Sequence, residues 1–141
     1  MANAETAKRI EAPADRVWEI ISGDEMRTLI LTLYGESADF EGSGQGAVLT
    51  TVLKDGRGTI RERIELIDDE ARCLQYRVLD VGPFPYANYR GEIRVTPSGP
   101  DACNVSFQTS FIPVEVTAEE GISGWLETNN NMLKTLSEYV S

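Results

Sequence analysis

Between Glu36 and Pro113 apolar and polar residues alternate with a period of two, while the segments on either side repeat every three to four residues. The alternation is cleanest in "GRGTIRERIELIDD". There Thr59, Arg61, Arg63 and Glu65 share one face, and Ile60, Glu62, Ile64 and Leu66 share the other. A strand with these faces turns four polar groups to water and an apolar row inward, with a carboxylate, Glu62, in the inward row. The same period places Leu74, Tyr76 and Val78 on one inner row. It places Tyr89, Gly91, Ile93 and Val95 on another, with Arg90, Glu92 and Arg94 opposite. Turn signals "KDGRG", "DDEA", "VGPFP" and "PSGPD", with the glycine-rich "EGSGQG", divide this region into six strands. Connections this short predict an antiparallel meander.

The flanks read as one strand and three helices. "AETAKRIEA", residues 4–12, predicts a first strand. Pro13 then opens a helix, where its missing N–H is no loss, with Val17, Ile20 and Ile21 as its buried stripe, Trp18 beside them and Gly23 as its end. "DEMRTLILT" predicts a second short helix with Asp24 as its N-cap. From Thr117 to Val140 the positions Ile122, Leu126, Asn129, Leu133, Leu136 and Val140 form an amphipathic stripe, widened by Trp125 and Met132. The predicted order is β-α-α-β6-α in one α+β domain over residues 1–141. Its seven-stranded curved antiparallel sheet grips the last helix and leaves an internal cavity.

Charge and composition narrow the function. A net charge of −10 over 141 residues argues against nucleic acid and against an anionic membrane surface, both of which need basic patches. No apolar run is long enough for a signal peptide core or a membrane span, which predicts a cytoplasmic protein. Cys73 and Cys103 then read as reduced thiols on separate strands. The chain has no histidine, and no Cys/Asp/Glu cluster has metal-ligand spacing. Catalysis, if present, falls to carboxylates, tyrosines, lysines, arginines or backbone groups, with no metal and no organic cofactor implied.

The series "EAPADRVWEIIS", "GSGQGAVLTTVLKDGRGTIRERIELIDDEARCLQYRVLD", "PFPYANYRGEIRVTPSG" and "CNVSFQTSFIP" resembles, in that order, the START-like (Bet v 1-like, SRPBCC) superfamily. Within it the chain is most similar to the polyketide cyclase/dehydratase-like branch, which also resembles plant lachrymatory factor synthase. The resemblance implies a helix-grip fold and a cavity for a small apolar molecule. It implies either a cofactor-free cyclase, dehydratase or isomerase, or a protein that only binds or carries. In the synthase branch a glutamate in the "RERIE"-like strand is a catalytic acid/base, and Glu62 matches it. The branch's arginine on the preceding strand is matched by Leu49, so the synthase's own reaction is not implied. Tyr76 and Tyr89 match pocket-lining tyrosines. A tryptophan-rich segment after the first helix is replaced by "DEMRTLILTLY", which predicts a different pocket mouth.

Each candidate has a plainer reading beside it. Glu62 in an apolar row has its charged form disfavoured, which suits general acid/base work; alternatively it pairs with an arginine or twists into water. The ring of Tyr89 lies inside, and its hydroxyl needs Glu62, a water or a ligand oxygen as partner. Tyr76 is either core or ligand contact. Asn129 interrupts the last helix's apolar stripe, and its amide holds a ligand carbonyl or bonds a neighbouring tyrosine or water. Leu49, Ile64, Phe107, Phe111 and Trp125 read as cavity wall or core. "GSGQG" precedes a strand, not a helix, so it is a hairpin turn at the entrance and not a phosphate loop. The leading expectation is a cyclase/dehydratase-type enzyme with Glu62 and Tyr89 as catalytic residues and a small hydrophobic, polyketide-like or aromatic substrate. The alternative is a carrier with the same cavity. Monomer and homodimer stay open.

Overall fold

The structure, a computed structural model, describes residues 1–141. Strand β1 (Ala2–Ile10) leads into helices α1 (Ala14–Ser22) and α2 (Met26–Leu33). Six strands follow: β2 (Gly35–Glu41), β3 (Val48–Leu53), β4 (Thr59–Asp68), β5 (Cys73–Asp80), β6 (Tyr86–Pro97) and β7 (Cys103–Pro113). Helix α3 (Ala118–Val140) ends the chain. All neighbouring strands are antiparallel, in the order β1-β7-β6-β5-β4-β3-β2. This is the expected seven-stranded helix-grip sheet. β2 to β7 run as a meander, and β1 closes on β7.

Three local expectations are corrected. β1 begins at Ala2 and stops at Ile10, because it pairs along the whole inner length of β7, from Ala2 opposite Phe111 to Ile10 opposite Cys103. Asp24 does not cap α2. Glu25 holds the cap position, and its carboxylate is instead taken by Arg16 of α1, at 2.7 and 2.9 Å, and by the Tyr139 hydroxyl of α3 at 2.7 Å. The Arg16 guanidinium pulls the Glu25 carboxyl down to about 2, with help from Tyr139. Leu66 does not face the long helix. The pairing shifts between Ile64 and Leu66, so Ile67 opposite Leu74 takes the inward position and packs on the core. A bulge inverts the faces of every residue beyond it, and no periodicity argument sees it.

Helix α3 is held at both its start and its face. Thr117 accepts from the Glu120 amide at 3.1 Å while Glu120 accepts from the Thr117 amide at 3.0 Å, a reciprocal cap that pulls the Glu120 carboxyl down. Its buried face runs Gly121, Trp125, Asn129, Met132, Leu133 and Leu136. Gly121 is there because a Cβ would lie 2.4 Å from the Phe111 ring of β7. Helix and sheet thus approach closely at this end.

Two apolar clusters result. The larger joins α1, α2, the C-terminal half of α3 and inward residues of β1, β2, β5, β6 and β7, including Ile10, Ile20, Val105 and Leu136. The smaller contains Ala4, Tyr89, Phe111 and Trp125. Cys73 and Cys103 are buried free thiols, and burial pushes both up. No helix is long and apolar enough to cross a membrane.

Candidate active site

Between the sheet, α2 and α3, bordering both apolar clusters, lies a cavity of about 310 Å³. This is at the lower end for small-molecule sites. Seventeen of its 27 lining residues are hydrophobic, so bound surface is mostly desolvated apolar surface. Exposed residues of four turns rim it: Asp24, Gly42 to Gly44, Arg57 and, half-buried, Phe84. The Arg57 guanidinium stacks over the Phe84 ring at 5.9 Å.

Glu62 projects from β4 into this space. Its cross-strand neighbours are Leu49 on β3 and Val78 on β5, so neither side offers a cation. Its carboxylate accepts one hydrogen bond, from the Tyr89 hydroxyl of β6 to Oε2 at 2.9 Å. Burial pushes the Glu62 carboxyl up to about 7, and the Tyr89 bond only partly opposes this. Tyr89 itself is 1% exposed, and burial beside Glu62 keeps its phenol protonated far above its ordinary range. The pair is therefore a carboxyl that exchanges a proton near neutrality and a phenol that only donates.

The other walls come from three elements. Tyr76 of β5 lies across Gly91 of β6, its direct partner, where a Cβ would meet the ring at 2.2 Å. The glycine makes room for the phenol to lie along the sheet. Asn129 of α3, 3% exposed, donates to Thr109 Oγ1 of β7 at 3.0 Å, which is the partner for its amide rather than a tyrosine. Asn129 also lines the cavity. Trp125 is packed edge-on to Tyr89 at 4.9 Å between ring centroids, and its indole N–H is buried without a partner.

Of the residues singled out in the sequence, Glu62, Tyr89, Tyr76, Asn129, Leu49, Ile64, Phe107 and Trp125 all line the cavity. Phe111 does not. It is wholly buried behind Trp125 and Tyr86, against Gly121, and is core. The sequence reading missed Tyr34, Tyr86 and Thr109. Tyr34 sits at the C-terminal end of α2, where the helical period ends, so no pattern assigns its ring to a face. Thr109 stands in the inner row of β7 between Phe107 and Phe111, a position that alternation could have flagged.

An antiparallel sheet gripping a long helix around an apolar cavity, with one carboxyl among its inner walls, defines a helix-grip α+β protein. The chain belongs to the polyketide cyclase/dehydrase and lipid transport family, whose sequence profile matches residues 1–138. Among solved structures it is similar to the protein XoxI from Bacillus cereus, with 30% identity, a TM-score of 0.85 and coverage of 99% of this chain and 96% of that one. The Zhui aromatase/cyclase from Streptomyces sp. R1128 is 21% identical, with a TM-score of 0.80 over 98% of this chain and 92% of its own. Norcoclaurine synthase from Thalictrum flavum is 20% identical, with a TM-score of 0.80 over the same shares. The last two share the fold at an identity that carries no more than the fold. No curated protein sequence matches the chain.

Proposed function

We propose that the protein is a cofactor-free enzyme of the cyclase/dehydratase type, acting on a small apolar substrate that carries a carbonyl and a hydroxyl. The observation that carries this reading is the Glu62–Tyr89 pair, a neutral-range carboxyl hydrogen-bonded to a phenol inside an apolar cavity. In a dehydration the ionised Glu62 takes the proton from the carbon next to the carbonyl. The C–H electrons form the new C=C bond as the C–O bond breaks. The same carboxyl then gives its proton to the departing hydroxyl, and water leaves. Glu62 ends ionised, as it began, so one group is base and then acid. Tyr89 donates to the carboxylate and holds it in place. Tyr76, in the cavity wall, donates to the carbonyl oxygen as it gains charge. The aliphatic walls at Leu49 and Ile64 and the rings of Phe107 and Trp125 hold the substrate and displace water.

A second reading, a carrier for the same class of molecule, is favoured by Leu49. With leucine beside Glu62 no cation faces developing negative charge within the cavity. One experiment separates the two. Conversion of 4-hydroxy-4-phenylbutan-2-one to its conjugated enone is followed by absorbance, beside binding of the same ketone. The enzyme reading expects turnover by the wild type and a loss of about a hundredfold or more in Glu62→Gln, the scale of a lost general acid/base. Binding without any turnover leaves the carrier.

A further inference from the structure

The cavity contains a phenol that neither the proposed chemistry nor the sequence patterns use. Tyr34 ends α2, and its backbone is fixed on both sides. Its amide donates to the Ile30 carbonyl at 3.0 Å, and its own carbonyl accepts from the Lys54 amide at 3.0 Å. Its side chain is half-buried and lines the cavity, close enough to Glu62 and Tyr76 for their charges to act on it. Burial is the main cause that keeps this phenol protonated well beyond neutral pH, so it is a permanent donor. Yet its hydroxyl meets no protein acceptor, whereas Tyr89 has Glu62. A cavity-facing hydroxyl with no protein partner is left to bond water or a ligand.

The charges around it restrict that ligand. Among the cavity-lining residues the single cation is Arg57, which stands at the rim over Phe84 and not beside Glu62. An anionic group next to Glu62 and Tyr34 would meet a carboxylate and no countercharge.

We infer that Tyr34 is a ligand-binding residue that donates a hydrogen bond to an uncharged oxygen of the ligand, and that the cavity therefore takes neutral carbonyl-bearing molecules and rejects carboxylates. This rests on the cavity being a ligand site but not on Glu62 being catalytic. It is tested by binding alone, with three naphthalenes of similar size: 2-acetonaphthone, 2-naphthoate and 2-ethylnaphthalene. At pH 8 the ketone should bind the wild type at least about tenfold more tightly than the carboxylate. Tyr34→Phe should weaken the ketone about three- to tenfold, the scale of one neutral hydrogen bond, and leave 2-ethylnaphthalene unchanged. The ligand-free variant should melt at or above the wild-type temperature, since only an unpartnered hydroxyl is removed. Equal loss of ketone and hydrocarbon, a lowered melt, or naphthoate bound as tightly as the ketone each overturns the inference while leaving the cavity reading intact. Failure of all three to bind overturns both.

Discussion

At the scale of single residues, Glu62 is decided by its neighbours. Alternation puts it on the inner face, and Leu49 and Val78 opposite it leave no cation to hold its charge. Desolvation therefore dominates, and the folded protein holds the proton up to about pH 7 against an ordinary value of 4.5. The sign of the pH dependence follows. Between these values the folded state binds more protons than the unfolded state, so stability is greatest below the ordinary carboxylate pKa and is lost as pH rises through about 7. The shift corresponds to something on the order of 3 kcal/mol. Thermal melts from pH 5 to pH 8 should show the wild type losing ground against Glu62→Gln, which keeps an acceptor for Tyr89 but does not titrate. Parallel melting curves for the two proteins would mean that Glu62 is ionised throughout.

At the scale of elements, strict period two is enough to place Glu62, Tyr76 and Tyr89, and helical spacing to place Asn129, around one space. It failed where geometry departs from it. Leu66 lies past a bulge, which is encoded in no alternation. Asp24 has the chemistry of a cap, but Arg16 and Tyr139 recruit Glu25 beside it, a tertiary choice that local sequence does not contain. Phe111 and Phe107 read identically along the strand. Only the close approach of α3 at Gly121 makes one core and the other cavity wall. The Thr117–Glu120 cap is legible in the sequence as a Thr-x-x-Glu spacing. Gly91 was legible as a member of an inner row, but its purpose appears only with the Tyr76 ring across it. Gly91→Ala should push that ring into the cavity. Binding of 2-acetonaphthone should fall about tenfold or more while far-ultraviolet circular dichroism stays unchanged, and unaltered binding would mean that Tyr76 is not part of the ligand wall.

At the scale of the whole molecule, fold and chemistry are linked by incomplete packing. A curved sheet cannot follow a straight helix along its length, so the chain packs tightly at two apolar clusters and leaves a space bordered by both. Stability comes from the clusters, which frees the residues between them to carry groups that a packed core would reject: a carboxyl, four phenols and an amide. The net charge of −10 lies mostly on the surface and adds no cation to this interior. The proposed chemistry needs that interior to hold a carboxyl poised to exchange a proton at neutral pH. A site-resolved titration of Glu62, read from its side-chain carboxyl carbon by nuclear magnetic resonance and assigned by its absence in Glu62→Gln, tests this most directly. A midpoint near 7 is the predicted result. A midpoint at or below 4.5, the ordinary carboxylate value, would contradict the proposed role of Glu62.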